Sequence, residues 1–424
     1  MKQQVLAAIL LSILSTSVIA QDIIPTPDWN SKLFNDWGGA RQSLAERGVI
    51  VELDATHTSQ HVFNGGVKRS ILGQEFDDTE HMVSSEAIIQ FDTNKAGLWP
   101  RGLFRLGLEF RTGDSVLNRS RALVNNDAAF PAVSGHSGDS VFVVNELSVM
   151  QFLSEKVGVV AGLLNTTEGD NNVLAGNARS NDTFMHSAFL WNLTTAATSP
   201  DVTLGGGVII IPNEKIMGSI VVLNTEGSAG HNPFEHDEGT TFSTEWSFKH
   251  SIGSNGGKQT IGGVYGIDKN RTDLFADPRL ALKSLAVGHT LPTTDEDTWA
   301  VYYNIHQFIQ GNEEKGWGVF ARIGFSDGDP NPVEEHFAVG VAGKGLFESR
   351  PHDRFGVGGF WVGFSEDGLP AAIEIDNSSG FEVFYNFEVA PGLNVISDIQ
   401  VIDSPLPRAD DTTVVGAIRT KWEF

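Results

Sequence analysis

The segment 412–424 has two chemically different faces, and this pattern restricts the possible fold more than any other feature of the chain. Every second residue back from its end belongs to a mostly apolar set: Phe424, Trp422, Thr420, Ile418, Gly416 and Val414. The residues between them include three charged side chains: Glu423, Lys421 and Arg419. A repeat of two residues predicts a β-strand with a different environment on each face.

This strand fits either of two classes of sheet protein. In a soluble sandwich its apolar face would point inward, whereas in an outer-membrane barrel that face points to lipid and the polar face lines the lumen. The segment ends on the aromatic Phe424. Because a barrel closes when its last strand pairs with its first, the pattern favours a transmembrane antiparallel β-barrel.

The same alternation recurs along the chain and predicts about 16 strands, an even number and a size that leaves an aqueous channel. It is most regular in 103–111, where apolar residues alternate with Arg105, Gly107, Glu109 and Arg111. The expected strands are 49–60, 81–92, 103–111, 141–152, 156–164, 202–211, 217–224, 240–250, 258–267, 297–309, 316–326, 335–344, 353–364, 380–389, 392–402 and 412–424.

The connections between these strands are expected to alternate between long and short. Outer-membrane barrels have this arrangement, with short periplasmic turns and longer outer loops, whereas a soluble sandwich has no reason for it. The longest connection is 165–201, and it contains the apolar segment 184–193. Counting that segment as a strand would make the total odd. We therefore expect a short helix or an inward-folded piece that narrows the barrel.

The two ends of the chain suggest export and a small N-terminal unit. Residues 1–20 have the charged, apolar and small-residue regions of a secretory signal peptide. We expect 21–48 to be a periplasmic segment with a short helix that ends at Gly48, and 49–424 to be the outer-membrane barrel. The absence of cysteine requires that an exported protein of this size be held by ordinary burial and hydrogen bonding.

The polar faces of the strands supply the candidate site. Arg105, Glu109 and Arg111 share one face of one strand, and opposed charges of this kind can replace the hydration of a sugar hydroxyl. The other candidates for the pore lining are Glu52, Asp54, Glu245, Lys249, Arg322 and, in the longest connection, Trp191. For each of them the alternative is a lumen-facing polar residue without a binding role, or for Trp191 a residue that packs the loop against the wall.

Composition and motifs narrow the function. The formal net charge of −24 argues against a nucleic-acid partner and against a general anion channel. The histidine spacings match no zinc motif, and no catalytic motif or cofactor-binding motif is present. We therefore predict no metal, no cofactor and no enzymatic activity.

Three blocks of sequence resemble the carbohydrate-selective porins, the OprB-like family. The blocks are Leu33–Thr56, with its Trp-Gly-Gly-x-Arg at Trp37 to Arg41, then Gly318–Gly358, and then the stretch from Phe381 to the end of the chain. The middle of the chain, from about 112 to 300, resembles the family only in the layout of its strands. The resemblance implies a sixteen-stranded outer-membrane porin that admits monosaccharides by diffusion, with Arg105, Glu109 and Arg111 in the lining of a narrow lumen.

The expected function is passive, sugar-selective diffusion across the outer membrane. A cation-preferring or general porin is the first alternative, and a barrel that only displays surface loops as a receptor is the second. The expected partners are sugars, outer-membrane lipid and the barrel-assembly machinery, the last through Phe424. Both a monomer and a homotrimer are compatible with the sequence.

Overall fold

A computed structural model describes residues 27–69, 73, 75–122, 124–127, 140–196, 198–225, 227, 234, 239–267, 271–272, 293–365, 375–405 and 410–424. Sixteen of its strands form one closed antiparallel barrel, as the alternation predicted. The predicted signal peptide, 1–20, and the start of the 21–48 segment lie outside the described residues. In the described part of the chain, no helix combines the length and apolarity needed to cross a membrane.

The barrel strands agree with the predicted segments to within a few residues, apart from an extended end of the first strand. They are β1 Val49–Gly66, β2 Thr79–Asp92, β3 Gly102–Gly113, β4 Val141–Phe152, β5 Val157–Asn165, β6 Val202–Asn213, β7 Ile216–Asn224, β8 Thr240–Ile252, β9 Asn255–Ile267, β12 Thr298–Gly311, β13 Gly316–Ser326, β14 Val333–Lys344, β15 Arg354–Phe364, β16 Ser378–Ala390, β17 Leu393–Asp403 and β18 Asp410–Glu423. Two further strands, β10 Arg271–Thr272 and β11 Thr293–Thr294, form a separate small ladder that the sequence did not predict.

Four short helices complete the described secondary structure, together with three 3₁₀ turns. They are α1 Ala40–Glu46, α2 Leu117–Ser120, α3 Ser187–Leu190 and α4 Leu193–Ala196. The predicted N-terminal helix corresponds to α1. Gly48 follows it with φ +85°, and a Cβ added there would lie 2.4 Å from the carbonyl oxygen of Asp92. Only glycine fits this sharp entry into β1.

The polar faces of the strands point into the barrel and the apolar faces point outward, as the alternation predicted. In β18 the side chains of Arg419 and Lys421 are buried on the lumen side, whereas that of Ile418 is half exposed on the outer wall. Val339 and Ile399 are likewise exposed on the outer wall. An apolar outer surface and a polar inner one are what a lipid exterior and an aqueous interior require.

Most connections follow the predicted alternation of long and short, with two exceptions. The connections 327–332 and 404–409 fall in the long series, yet both are shorter than the turns 93–101 and 345–353 of the short series. The longer turn 345–353 stays compact because Arg350 donates to the carboxylate of Asp353 at 2.7 and 2.8 Å. The Arg350–Asp353 ion pair therefore holds together a turn that is longer than most others of the short series.

Residues 29–46, here called the N-terminal latch, close over the seam where β1 meets β18. Lys32 forms an ion pair with Glu423, and the backbone N–H of Leu33 donates to the carbonyl of Glu423 at 2.8 Å. The ring of Phe34 stacks on that of Phe424 at a centroid distance of 5.9 Å. The latch therefore ties the first described residues to the last ones.

Arg41 is the centre of the latch. Its guanidinium lies 4.5 Å from the ring centroid of Trp29 and 4.1 Å from that of Trp37. It also donates to the carbonyl oxygens of Asn35, Val51 and Phe424. Arg41 is buried, so each of these contacts replaces water that the cation would otherwise retain.

We predict that Arg41→Ala destabilises the folded barrel, whereas Arg47→Ala does not, because Arg47 is exposed beside the same helix. Each cation–π contact contributes about 0.5–2 kcal/mol, depending on desolvation. The measurement is the temperature at which the purified barrel in detergent changes its electrophoretic mobility on unfolding. Equal transition temperatures for the two variants would show that the latch adds no stability.

A constriction inside the barrel as candidate functional site

The longest connection, 166–201, folds into the barrel, as the sequence predicted. Backbone groups of this inner loop bond to side chains of the wall. Glu382 accepts from the N–H groups of Met185 and His186 at 2.5 and 2.8 Å, and Arg419 donates to the carbonyls of Asn181 and Thr183. Charged side chains of the strands thus hold a loop that has no regular ladder of its own.

Aromatic packing fixes the same loop against one half of the wall. Phe184 and Phe189 stack at 4.5 Å and contact Phe320 and Phe360 on the strands, with Phe384 beside them. The wall has glycine where these rings approach, because a Cβ at Gly358 would lie 2.6 Å from the ring of Phe189. The inner loop therefore fills the side of the lumen formed by the later strands.

Two of the lumen cavities bounded by the described residues meet beside the inner loop. The latch-side cavity contains about 910 Å³ of open space and is lined by latch residues, by Glu52 and Asp54 of β1, and by Lys421 of β18. The far-side cavity contains about 1310 Å³ and is lined by side chains of β3–β5, β7–β9 and β12 and of the inner loop, among them Glu245 and Trp191. Arg105 and Glu168 line both cavities. The boundary between the cavities is therefore made of one guanidinium and one carboxylate.

These two residues belong to a network that we call the constriction cluster: Glu86, Arg105, Glu146, Glu168 and Arg179. Arg105 donates to both carboxylate oxygens of Glu168, at 2.8 and 2.5 Å, and lies 3.1 Å from Glu146. Arg179 donates to Glu168 at 2.7 Å and pairs with Glu86. Three carboxylates and two guanidiniums thus alternate across the lumen, with fork-like geometry at Arg105.

A β-bulge brings Glu146 into this cluster. The pairing of β3 with β4 shifts between Gly107 and Leu108, and as a result both Asn145 and Glu146 are buried on the lumen side. Gly107 makes room for the bulge, since a Cβ there would lie 2.3 Å from the side-chain oxygen of Asn145. Bulges often redirect side chains at functional positions in this way.

The structure separates the predicted group Arg105, Glu109 and Arg111. Arg105 lies in the constriction cluster, whereas Glu109 accepts from Asn145 at 2.7 Å further along the strand. Arg111 is on the same face but outside the cluster, towards the end of β3. The three residues share a face, as predicted, but only Arg105 borders the cavities.

The other predicted residues fall into different parts of the lumen. Glu52 and Asp54 line the latch-side cavity, and Glu245 and Trp191 line the far-side cavity. Lys249 is on the lumen face of β8, opposite Lys258 and away from both cavities. Arg322 is fully buried and donates to the carbonyls of Phe189, Asp170 and Gly176. Its side chain therefore anchors the inner loop.

Four residues of the constriction cluster were absent from the predicted site: Glu86, Glu146, Glu168 and Arg179. Glu86 follows the alternation of strand 81–92, so the repeat by itself places its side chain on the polar face of that strand. The adjacent polar pair at 145–146, inside an otherwise alternating strand, was a readable sign of a bulge. Glu168 and Arg179 are in the inner loop, where no repeat indicates direction.

Two acidic residues of the inner loop differ in their titration. Burial by itself raises the pKa of Asp182, but Arg354 at 2.9 Å and Lys421 nearby hold that pKa well below its usual value. Desolvation by the cavity wall raises the pKa of Asp201 to about 7. Asp182 therefore stays charged, whereas Asp201 gains its charge near neutral pH.

Comparison with known proteins identifies a matching family model and solved structures with a similar fold. The model of a family described as carbohydrate-selective porin, OprB family, matches residues 86–424. No curated protein sequence matches the chain. The high-pH structure of Pseudomonas putida OprB is similar, with 17% identity over 94% of this chain and 100% of that chain and a TM-score of 0.75. The low-pH structure of the same protein gives 15% identity, the same coverage and a TM-score of 0.58. At these identities the structural likeness is one of fold.

We predict that Gly358→Val displaces the inner loop from this wall towards the open side of the lumen and decreases single-channel conductance. The new side chain would overlap Phe189, and overpacking of this kind costs about 1–3 kcal/mol. Gly359→Val is the matched control, because the nearest atom to a Cβ at that position is 3.6 Å away. Planar-bilayer recordings of both folded variants provide the measurement. A conductance for Gly358→Val equal to that of the control would contradict the packing described above.

We also predict that cation preference increases with pH through Asp201. Its carboxyl is neutral below its pKa and negative above it, so the far-side cavity gains a negative charge as the pH rises through about 7. Reversal potentials in a salt gradient, measured on both sides of that pH, are expected to shift towards cation selectivity. The Asp201→Asn variant is expected to lack this part of the shift, and an unchanged pH dependence would refute the assignment.

Proposed function

The chain belongs to the OprB family of carbohydrate-selective porins, and on that premise we propose which residues select its solute. It is a sugar-selective outer-membrane channel with a sixteen-stranded barrel. We propose that a sugar crosses between the far-side and latch-side cavities by passing the constriction cluster. The observation that carries this proposal is that Arg105 and Glu168 border both cavities.

Both kinds of hydrogen-bonding group that a sugar needs are present at this point. A hydroxyl is donor and acceptor at once, so it can accept from the guanidinium of Arg105 and donate to the carboxylates of Glu146 or Glu168. Such contacts replace part of the water that the solute loses in a narrow lumen. Because they are fixed to the wall and to an anchored loop, the solute meets them without a large rearrangement of the protein.

Each cavity offers further contacts to the same solute. The indole N–H of Trp191 has no hydrogen-bond partner among the described residues, and its side chain lines the far-side cavity. On the latch side, one carboxylate oxygen of Asp54 likewise lacks a partner within the described part of the chain. We propose that these groups bind sugar hydroxyls before and after the constriction, and that Trp191 also offers an apolar face to the ring.

The remaining assignments follow from the same premise. We propose that residues 1–20 direct export and are removed, that the latch and the short connections face the periplasm, and that the strand ending at Phe424 engages the barrel-assembly machinery. Transport by this route is diffusion down a gradient and requires no catalytic step. We therefore propose a channel without enzymatic activity.

One observation favours a second candidate, a cation-preferring porin. The constriction cluster contains three carboxylates and two guanidiniums, and Glu52 and Asp54 add further acidic groups beside it. A narrow lumen with excess negative charge attracts cations. A steady cation-selective current that is indifferent to sugar would favour this candidate, whereas saturable block of the current by glucose favours the sugar channel.

We predict that Arg105→Gln weakens the block of single-channel current by glucose by roughly 10- to 100-fold, because hydrogen bonds to charged groups contribute about 1.5–3 kcal/mol. Arg111→Gln is the control: it removes the same charge from the same face of β3 but outside the cluster. The measurement is the glucose concentration that halves the current in a planar bilayer. Equal effects of the two substitutions would place the selective contact elsewhere.

A further inference from the structure

Glu168 occupies a position in which the carboxylate of a solute could also bind. Its two oxygens accept three hydrogen bonds, two from Arg105 at 2.8 and 2.5 Å and one from Arg179 at 2.7 Å. Two guanidiniums directed at one carboxylate form a typical recognition site for an anionic group. The chain therefore contains a carboxylate-binding site that one of its own side chains fills.

Glu168 also differs from the other members of the constriction cluster in its accessibility. Its side chain is 24% exposed, whereas those of Arg105, Arg179, Glu86 and Glu146 are 5–7% exposed. Glu86 and Glu146 are fixed in β2 and β4, but Glu168 is in a short 3₁₀ turn at the start of the inner loop. Of the three acids, Glu168 is the one that a passing solute meets directly.

The net charge of the constriction cluster also opposes a second carboxylate beside the two arginines. Without Glu168 the two guanidiniums are balanced by Glu86 and Glu146, and with it the cluster has one negative charge in excess. A second carboxylate brought to the arginines would add to that excess. A neutral hydroxyl group adds no charge and can accept from an arginine while donating to Glu168.

We propose that Glu168 is the residue that discriminates neutral from acidic carbohydrates. It fills the site formed by Arg105 and Arg179, so that a sugar bearing a carboxylate has to displace it, whereas a neutral sugar binds beside it. This inference rests on the proposed passage of sugars past the constriction cluster. It adds a specificity residue and a class of excluded solute to that passage.

The test compares glucose with glucuronate, which has a carboxylate in place of the terminal hydroxymethyl group. Single-channel block by each solute is measured for the wild type, Glu168→Gln and Asp201→Asn. Asp201→Asn is the matched control, because it also removes a carboxylate from the far-side cavity but has no arginine partner in the cluster. Recordings at about pH 8 keep Asp201 of the wild type ionised.

In the wild type, we expect glucose to block at concentrations about tenfold lower than glucuronate does. In Glu168→Gln, glucuronate block strengthens by about tenfold or more relative to glucose, because the arginines lose their charged internal partner. In Asp201→Asn the loss of one negative charge from the same cavity also favours glucuronate, but the gain relative to glucose is clearly smaller than in Glu168→Gln, because no arginine loses its partner. The same ratio in all three proteins, or an equal increase in both variants, would overturn the proposal.

If Glu168→Gln does not give a folded barrel, Glu168→Ala takes its place, with the same expected gain for glucuronate. Glucuronate block as strong as glucose block in the wild type would overturn the proposal without any variant. If glucose fails to block the wild type, the proposed sugar passage fails, whereas a gain of glucuronate block in Glu168→Gln would still show the carboxylate site.

Discussion

The constriction depends on a few buried charged side chains that supply the backbone partners of the inner loop. A loop inside a barrel has neither a strand ladder nor bulk water to pair its N–H and C=O groups, so they remain costly unless the wall provides partners. Arg322 donates to three carbonyl oxygens of the loop, Arg419 donates to two, and Glu382 accepts from two N–H groups. Without them the loop would have no fixed path, and neither would the two cavities.

These contacts make the lumen asymmetric. The aromatic cluster of Phe184 and Phe189 packs the loop against the later strands, so the open space remains mainly along β3–β5 and β7–β9. The residues that bound this space come from both wall and loop, and at Arg105 and Glu168 the two contributions meet. The shape of the lumen at this point is therefore set by the position of the loop as well as by the strand residues that face it.

The barrel was predictable from sequence because lipid outside and water inside impose a repeat of two on every strand. The same repeat placed Arg105, Glu109 and Glu52 on the lumen side correctly. It failed at Glu146, where a bulge interrupts the alternation, and it said nothing about Glu168 and Arg179 in the irregular loop. It also made Arg322 look like an accessible pore residue, since alternation gives the face of a side chain but not what covers it.

The N-terminal latch also bears on the order of folding. Lys32 and Glu423 are 391 residues apart in sequence, so their ion pair is among the least local contacts of the molecule. Loop-closure entropy makes such contacts slow to form, and this one requires β1 and β18 to be paired already. Formation of the latch is therefore a late event that follows ring closure. Unfolding by the reverse route would begin at this seam, with the release of the latch preceding the separation of the two strands.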